Sequence, residues 1–365
     1  MLACAALLVG CGVAPAAGHG SDKTLTPTTS SSTAIAAGQD PADEQDIRRA
    51  LNAWPAAWDA RDAGAVCDLF APDAVYEPID AGAFGGGGSG RDAAVAALRA
   101  STGGIDRRFD VRIPEVLEGP LTRPDGTIFM RYRLTLRRAG VPDFVSHGDH
   151  VTTYVGGRIA RIVDTPDADT AARLAAYLER HGEKLRPAGS ALATEIDPRD
   201  ARELDAALSR SLARAYGHAK SEQDVGAALA VCSPDFVLDT PALGITGRGR
   251  DEVALQLGMF FDTFPDYGFT GEGCAAEDGS VAFWGRVHMT FAGPFLGIAA
   301  TGRKVDMPAM SVFTQRGGAL GSETFHVDLA TLAEQMGVPV DDMRAQLALL
   351  RPAEPLAQAA AGGAR

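Results

Sequence analysis

Apolar positions along this chain follow two periods in turn. Behind Asp40-Pro41, Ile47, Ala50, Leu51, Trp54 and Trp58 recur at helical spacing. Asp caps such a helix and Pro suits its first turn, while Pro55 removes a backbone donor and should bend it. Val66 and Leu69-Phe70 predict a second short helix, Pro72 to Pro78 a turn and strand, Gly85 to Gly88 a loop, and Gly90-Arg91-Asp92 the start of a third helix reaching Ala100. The pattern then becomes one of long strands, over 109–117, 128–138, 144–155 and 158–163, with Gly156-Gly157 as a hairpin turn. Asp167 to His181 closes the unit as a helix.

The same plan recurs. Pro198-Arg199-Asp200 opens a helix through His218, and Ser221 to Val231 repeats the second helix. Asp235 in Ser233-Pro234-Asp235-Phe236-Val237 lies 162 residues beyond Asp73 of the first Pro-Asp strand. Arg250 lies 159 beyond Arg91, and Gly317 of Gly317-Gly318 lies 161 beyond Gly156. Near-equal offsets of domain length indicate an internal duplication rather than a solenoid. The expected boundaries are 40–182 and 198–350, joined by a 183–197 linker that contains Pro187-Ala188-Gly189-Ser190. Three helices followed by a strand meander make each unit an α+β domain.

The second unit carries three further pieces in order. They are Phe260-Phe261-Asp262-Thr263-Phe264-Pro265-Asp266, then Gly293-Pro294-Phe295-Leu296-Gly297-Ile298 with Thr301-Gly302-Arg303, then Asp328-Leu329 with Gln335-Met336-Gly337. In that order they resemble the SnoaL-like polyketide cyclase family of the nuclear transport factor two-like superfamily. The resemblance is clear over 198–350. Over 40–182 the Phe-Leu-Gly-Ile and Thr-Gly-Arg pieces are missing and the copy looks diverged. It implies two tandem cones, each a curved antiparallel sheet wrapped around about three helices with a pocket inside. It implies a reaction only weakly, since one fold hosts many activities.

Composition narrows the partners. A net charge of −13 argues against nucleic acid, whose phosphates demand basic patches. No apolar run is long enough to cross a bilayer. Residues 1–11 end in Leu8-Val9-Gly10-Cys11, which resembles a bacterial lipobox and suggests an exported, cell-envelope lipoprotein with its lipid on Cys11. No Lys or Arg precedes Cys11, so the alternative is a short apolar stretch without that meaning. Residues 12–39 read as a flexible Ser/Thr/Ala/Gly tether, and 351–365 as a disordered tail. Cys67, Cys232 and Cys274 sit in apolar patterns and read as buried free thiols.

Candidate chemistry concentrates in the second unit. Val281, Phe283, Val287, Met289 and Phe291 alternate with Trp284, Arg286, His288 and Thr290, so the apolar set faces the cone interior. Many SnoaL-like proteins carry His where Phe291 stands here. The resemblance assigns Asp328 an acid/base role, with His326 and Asp239 nearby; the alternative is that Asp328 caps the following helix. Phe260, Phe264, Phe291, Phe295, Met307 and Phe313 are the expected apolar lining of a ligand site. Asp239 and Glu77-Pro78 also read as ordinary turn residues. His147-Gly148-Asp149-His150 splits its side chains between two strand faces, so no metal site is expected, and no cofactor fingerprint is present.

Three readings follow. One is a cofactor-free cyclase, isomerase or hydrolase acting by proton transfer on a small apolar carbonyl compound. Another is a non-catalytic ligand-binding lipoprotein. The third is a structural module in which cones pair, within the chain or as a homodimer.

Overall fold

A computed structural model describes residues 67, 69–79, 86–191, 193 and 195–350. The expected first helix, Cys11 and the 12–39 tether lie outside the described residues. Two six-stranded sheets are present, each with its own helices, and they form two tandem α+β cones.

The first sheet contains β1 (Phe70–Pro78), β2 (Gly88–Ser89), β3 (Val111–Thr122), β4 (Ile128–Arg137), β5 (Phe144–Val155) and β6 (Arg158–Pro166), in the order β2-β1-β6-β5-β4-β3. Helix α1 (Arg91–Gly104) follows β2, and α2 (Thr170–His181) follows β6. Phe70 was expected on a helix; it opens β1 instead, fully buried, because the ladder to Ile159 takes it.

The second cone begins with α3 (Pro198–Ser221) and α4 (Val225–Ala230). Its sheet contains β7 (Cys232–Thr240), β8 (Ile245–Arg248), β9 (Gly268–Glu277), β10 (Ser280–Thr290), β11 (Lys304–Arg316) and β12 (Ala319–Val327), in the order β8-β7-β12-β11-β10-β9. Helix α5 (Gly249–Thr263) follows β8, and α6 (Leu329–Met336) and α7 (Val340–Leu350) close the chain's described part. In both sheets the first strand runs parallel to the last, and every other pairing is antiparallel.

The duplication is visible in the irregularities. Between Phe70 and Val75 the partner strand advances only from Ile159 to Arg161, and between Cys232 and Val237 only from Leu320 to Ser322. Pro72 and Pro234 sit inside these two bulges, where the ladder requires no donor. Gly156-Gly157 and Gly317-Gly318 turn the matching hairpins with positive φ at all four residues.

The cones meet through α3. Its outward face packs on β3, where Val111, Ile113 and Ala207 form a small buried cluster. Its other face enters the main core of the second cone through Leu212, Ala213, Tyr216 and Ala219. A helix buried on two sides needs small residues for close approach, and Ala206, Ala207, Ser209, Ser211 and Ala215 supply them. Charges fasten the contact: Arg137 of β4 reaches Asp200 and Glu203, and Glu115 of β3 receives Arg210 and Arg214 as well as its own neighbour Arg133.

Candidate functional site

Between α3 and the inner face of the second sheet lies a half-open cavity of about 320 Å³. Tyr267, Phe269 of β9, Phe283 of β10 and Phe313 of β11 contribute rings to its wall, and Glu118 and Arg214 add charged side chains. Its floor is ionic. Lys220, in the last turn of α3, places Nζ 3.0 and 3.1 Å from the two carboxylate oxygens of Glu323 on β12. The Ser311 hydroxyl donates to the same carboxylate at 2.7 Å. The side chains of Lys220 and Glu323 are 6% and 1% exposed, so the pair is almost wholly removed from bulk water. Rings of Tyr216, Tyr267 and Phe325 surround the ammonium at 5.2, 5.8 and 5.0 Å. Burial, with the Glu323 charge behind it, pushes the phenols of Tyr216 and Tyr267 up, so both keep their protons. His218 also lines the cavity; desolvation pushes its imidazole down, and it is neutral at physiological pH.

The arrangement gives a ligand a slot of small-molecule size with aromatic rings and several polar groups on its walls. A carboxylate already satisfied by an ammonium and a hydroxyl is a poor proton acceptor, so this floor orients a polar group better than it abstracts a proton.

Of the residues anticipated from sequence, Phe313 lines this cavity. Phe264, Phe291, Phe295 and Met307 are buried in the core beside it, and Phe260 packs half-buried against them. Phe264 stacks with Phe260, Phe291 and Phe295 at centroid distances of 5.1, 6.0 and 6.4 Å, so these rings fill one another's space. Asp328 is solvent-exposed and caps α6, accepting from the Thr331 amide at 2.7 Å, which holds its carboxyl below the usual range. His326 is exposed on the outer face of β12, and Asp239 accepts from the Thr246 hydroxyl at 2.6 Å near the surface. These three are not among the residues that line the cavity.

Two residues of the cavity floor were missed. Glu323 has the opposite parity to Thr324 and His326; the alternation of β12, continued through Phe325, was the signal that it faces inward. Lys220 follows Tyr216 by four and Leu212 by eight, which puts a charge on the apolar stripe of α3.

The first cone buries a polar cluster beside its two apolar ones. Asp164 of β6 accepts from the Tyr132 hydroxyl at 3.0 Å and lies opposite His150 of β5. Desolvation pushes the Asp164 carboxyl up to about 7, against the lowering effect of the Tyr132 hydrogen bond. His150 is 2% exposed, and burial, followed by the Arg112 charge, pushes its imidazole down to about 3. Arg112 pairs with buried Asp106 at 2.9 Å. Gly148 makes room for this cluster, because a Cβ there would stand 2.6 Å from the Tyr132 hydroxyl. His147 and Asp149, on the other face of β5, are half-buried, and Asp149 pairs with Arg131. Among the described cysteines Cys232 is buried, with its Sγ 3.3 Å from the Ala228 carbonyl oxygen, and Cys67 and Cys274 are half-buried.

Comparison with known proteins gives one family. The model of the SnoaL-like domain matches twice, over residues 51–162 and 213–320. Among curated proteins none matches. Similar solved structures include a hypothetical protein with a ketosteroid isomerase-like fold from Catenulispora acidiphila, in complex with trimethylamine. It is 17% identical, covers 36% of this chain and 95% of its own, and has a TM-score of 0.32. IdmH of Streptomyces antibioticus, a candidate polyketide cyclase, is 22% identical over 36% of this chain and 99% of its own, with a TM-score of 0.32. A nuclear transport factor two-like protein of unknown function from Burkholderia pseudomallei is 19% identical over 35% and 97%, with a TM-score of 0.31.

Proposed function

This chain belongs to the SnoaL-like domain family, and on that premise we propose that it binds a small, largely apolar, carbonyl-containing molecule in its C-terminal cone. The observation that carries the reading is the Lys220–Glu323–Ser311 floor in a cavity with aromatic rings on its wall. Ligand sites are mostly apolar with a few convergent polar groups, and buried charge without such a role is a cost to the fold. Prodan, a neutral naphthyl ketone dye whose emission shifts blue in apolar sites, tests it. The wild-type protein should bind prodan with a blue shift. The double variant Lys220→Met/Glu323→Leu, which replaces the pair with apolar volume, should stay folded and bind at least tenfold more weakly. Emission unchanged from water, or undiminished binding by the folded double variant, would overturn the reading.

Cofactor-free acid/base chemistry of the cyclase, isomerase or hydrolase type is the second reading. One observation favours it, and it lies in the first cone: Asp164, with its carboxyl near 7, matches the working pH of a general acid or base. If turnover of any carbonyl substrate is found, Asp164→Asn should abolish it while Lys220→Met/Glu323→Leu should not; the reverse pattern would remove this reading.

Export and lipidation at Cys11 remain part of the proposal, on the strength of Leu8-Val9-Gly10-Cys11 and the tether behind it. Native protein should partition into detergent and a Cys11→Ala variant should not. Equal cytosolic fractionation of both would dismiss the anchor.

A further inference from the structure

The cavity of the second cone is not built from that cone alone. Leu117, Glu118 and Gly119 of β3, in the first cone, form part of its lining. They reach it because β3 leaves its regular ladder there, with register breaks between Val116 and Glu118 and again between Glu118 and Leu121. Gly119 has φ +83, and a Cβ on it would lie 2.4 Å from the Phe129 carbonyl oxygen, so only glycine fits this bend.

The residues just upstream hold the strand against α3. Glu115 is 2% exposed at its side chain and receives Arg210 at 3.0 Å and Arg214 from the helix, with Arg133 from β4. The Val116 amide donates to the Ser211 hydroxyl at 2.8 Å. Lys220 and His218 are carried by that same helix. The Leu117 segment and Lys220 are therefore both held by α3, although they lie about a hundred positions apart in the chain.

We infer that β3 of the first cone is the specificity wall of the second cone's site, with Leu117 setting the length of the neutral aromatic ketone that the cavity accepts. This rests on the ligand reading above. Leu117, a half-buried branched apolar side chain, lines the same volume of about 320 Å³ as Lys220 and Glu323. A molecule with its carbonyl toward the floor carries its alkyl end toward that wall. Shortening Leu117 opens space for a longer chain, and enlarging it removes space that a short one uses.

Prodan and laurdan, which share one naphthyl ketone and differ only in acyl chain length, read this directly in the full-length protein. Leu117→Ala should shift the affinity ratio at least threefold toward laurdan. Leu117→Trp should weaken prodan binding at least tenfold. Glu77→Gln, in the exposed Glu77–Arg161 pair on β1 and β6, should leave the ratio as in wild type. Thermal melts accompany each variant, because a purely structural role for Leu117 moves the melt without moving the ratio. If wild type binds neither dye, the ligand reading falls and this inference with it. If wild type binds but the ratio ignores residue 117, or moves equally with Glu77→Gln, only this inference is overturned.

Discussion

The two cones repeat one fold and fill it with different interiors. The ladders fix the correspondence: Tyr76 pairs with Ile162 in the first sheet as Leu238 pairs with Glu323 in the second. His150 lies opposite Asp164 as Ser311 lies opposite Phe325. So the last strand of each cone turns one carboxylate inward, but two residues apart, with Ile162/Asp164 in one cone answering Glu323/Phe325 in the other. In the first cone the carboxylate meets a phenol, and a neutral imidazole stands opposite it across the ladder. In the second it meets an ammonium and a hydroxyl. Bulges, Gly-Gly hairpins and strand order have stayed, because they are set by backbone geometry. The inward side chains have diverged, because any set that fills the space and satisfies its own polar groups leaves the sheet intact.

The largest effect that tests this contrast is loss of one charge from the second cone. Lys220→Met or Glu323→Leu alone leaves its partner buried and unpaired, and each should destabilise the protein by about 3–5 kcal/mol in denaturant melts. The double variant should recover most of that. Ile162→Val, at the position in the first cone that answers to Glu323, should cost only about 1 kcal/mol. A single charge deletion no more costly than Ile162→Val would mean that the two interiors are not electrostatically different.

Glu115 lies between the cones, and its removal tests whether they act as one. Desolvation alone would raise its carboxyl, but hydrogen bonds from Arg210 and Arg214 outweigh that and hold it below the usual carboxylate range. Such a group stabilises the fold at pH values above its unfolded pKa, and the contribution fades as pH falls through the lower folded value. Glu115→Gln should therefore cost about 3 kcal/mol near neutrality, with the gap to wild type closing in acid. A gap independent of pH would show that the guanidiniums do not depend on this charge.

Asp164 has the opposite sign. With its folded carboxyl raised to about 7, the unfolded chain releases the proton first as pH rises. Wild type therefore loses stability through this group between the ordinary aspartate range and about 7. Asp164→Asn lacks that loss and can still accept from Tyr132. Relative to wild type, the variant should gain roughly 2 kcal/mol between pH 4 and pH 8, after discounting for partial exposure. Phe325→Leu, at the matching position of the second cone, should change stability by an amount that does not vary with pH.

Much of this was legible in the residues. Strands β4 and β5 begin where their alternation begins, and β6 follows Gly156-Gly157 directly. The Pro-Asp and Gly-Gly pairs announced the duplication, since each marks a backbone event with few alternatives. The site was less legible for two physical reasons. Helix α3 is buried on both sides, by its own cone and by β3, so its pattern does not single out Lys220 as an inward charge. On β12 and just past it the polar run Thr324, His326 and Asp328 draws the eye, while the inward parity of the strand holds one acid, Glu323, beside Phe325. Leu117 was out of reach, because a wall supplied across domains depends on how the cones dock.

Asp328 supplies the last and smallest contrast, between a residue that the family motif marks and one that the cavity uses. In the structure it accepts from the Thr331 amide at the start of α6, with its side chain in solvent. Asparagine offers the same acceptor at an N-cap, so Asp328→Asn should leave the melt and prodan binding indistinguishable from wild type. Asp328→Ala removes the acceptor and should lower the melt slightly, still without touching the dye. Glu323→Gln provides the comparison: it takes charge from the floor of the cavity, and prodan binding should register it. If Asp328→Asn weakened the dye as Glu323→Gln does, the cap would be reaching the ligand through α6, and the boundary drawn here around the cavity would have to include that helix.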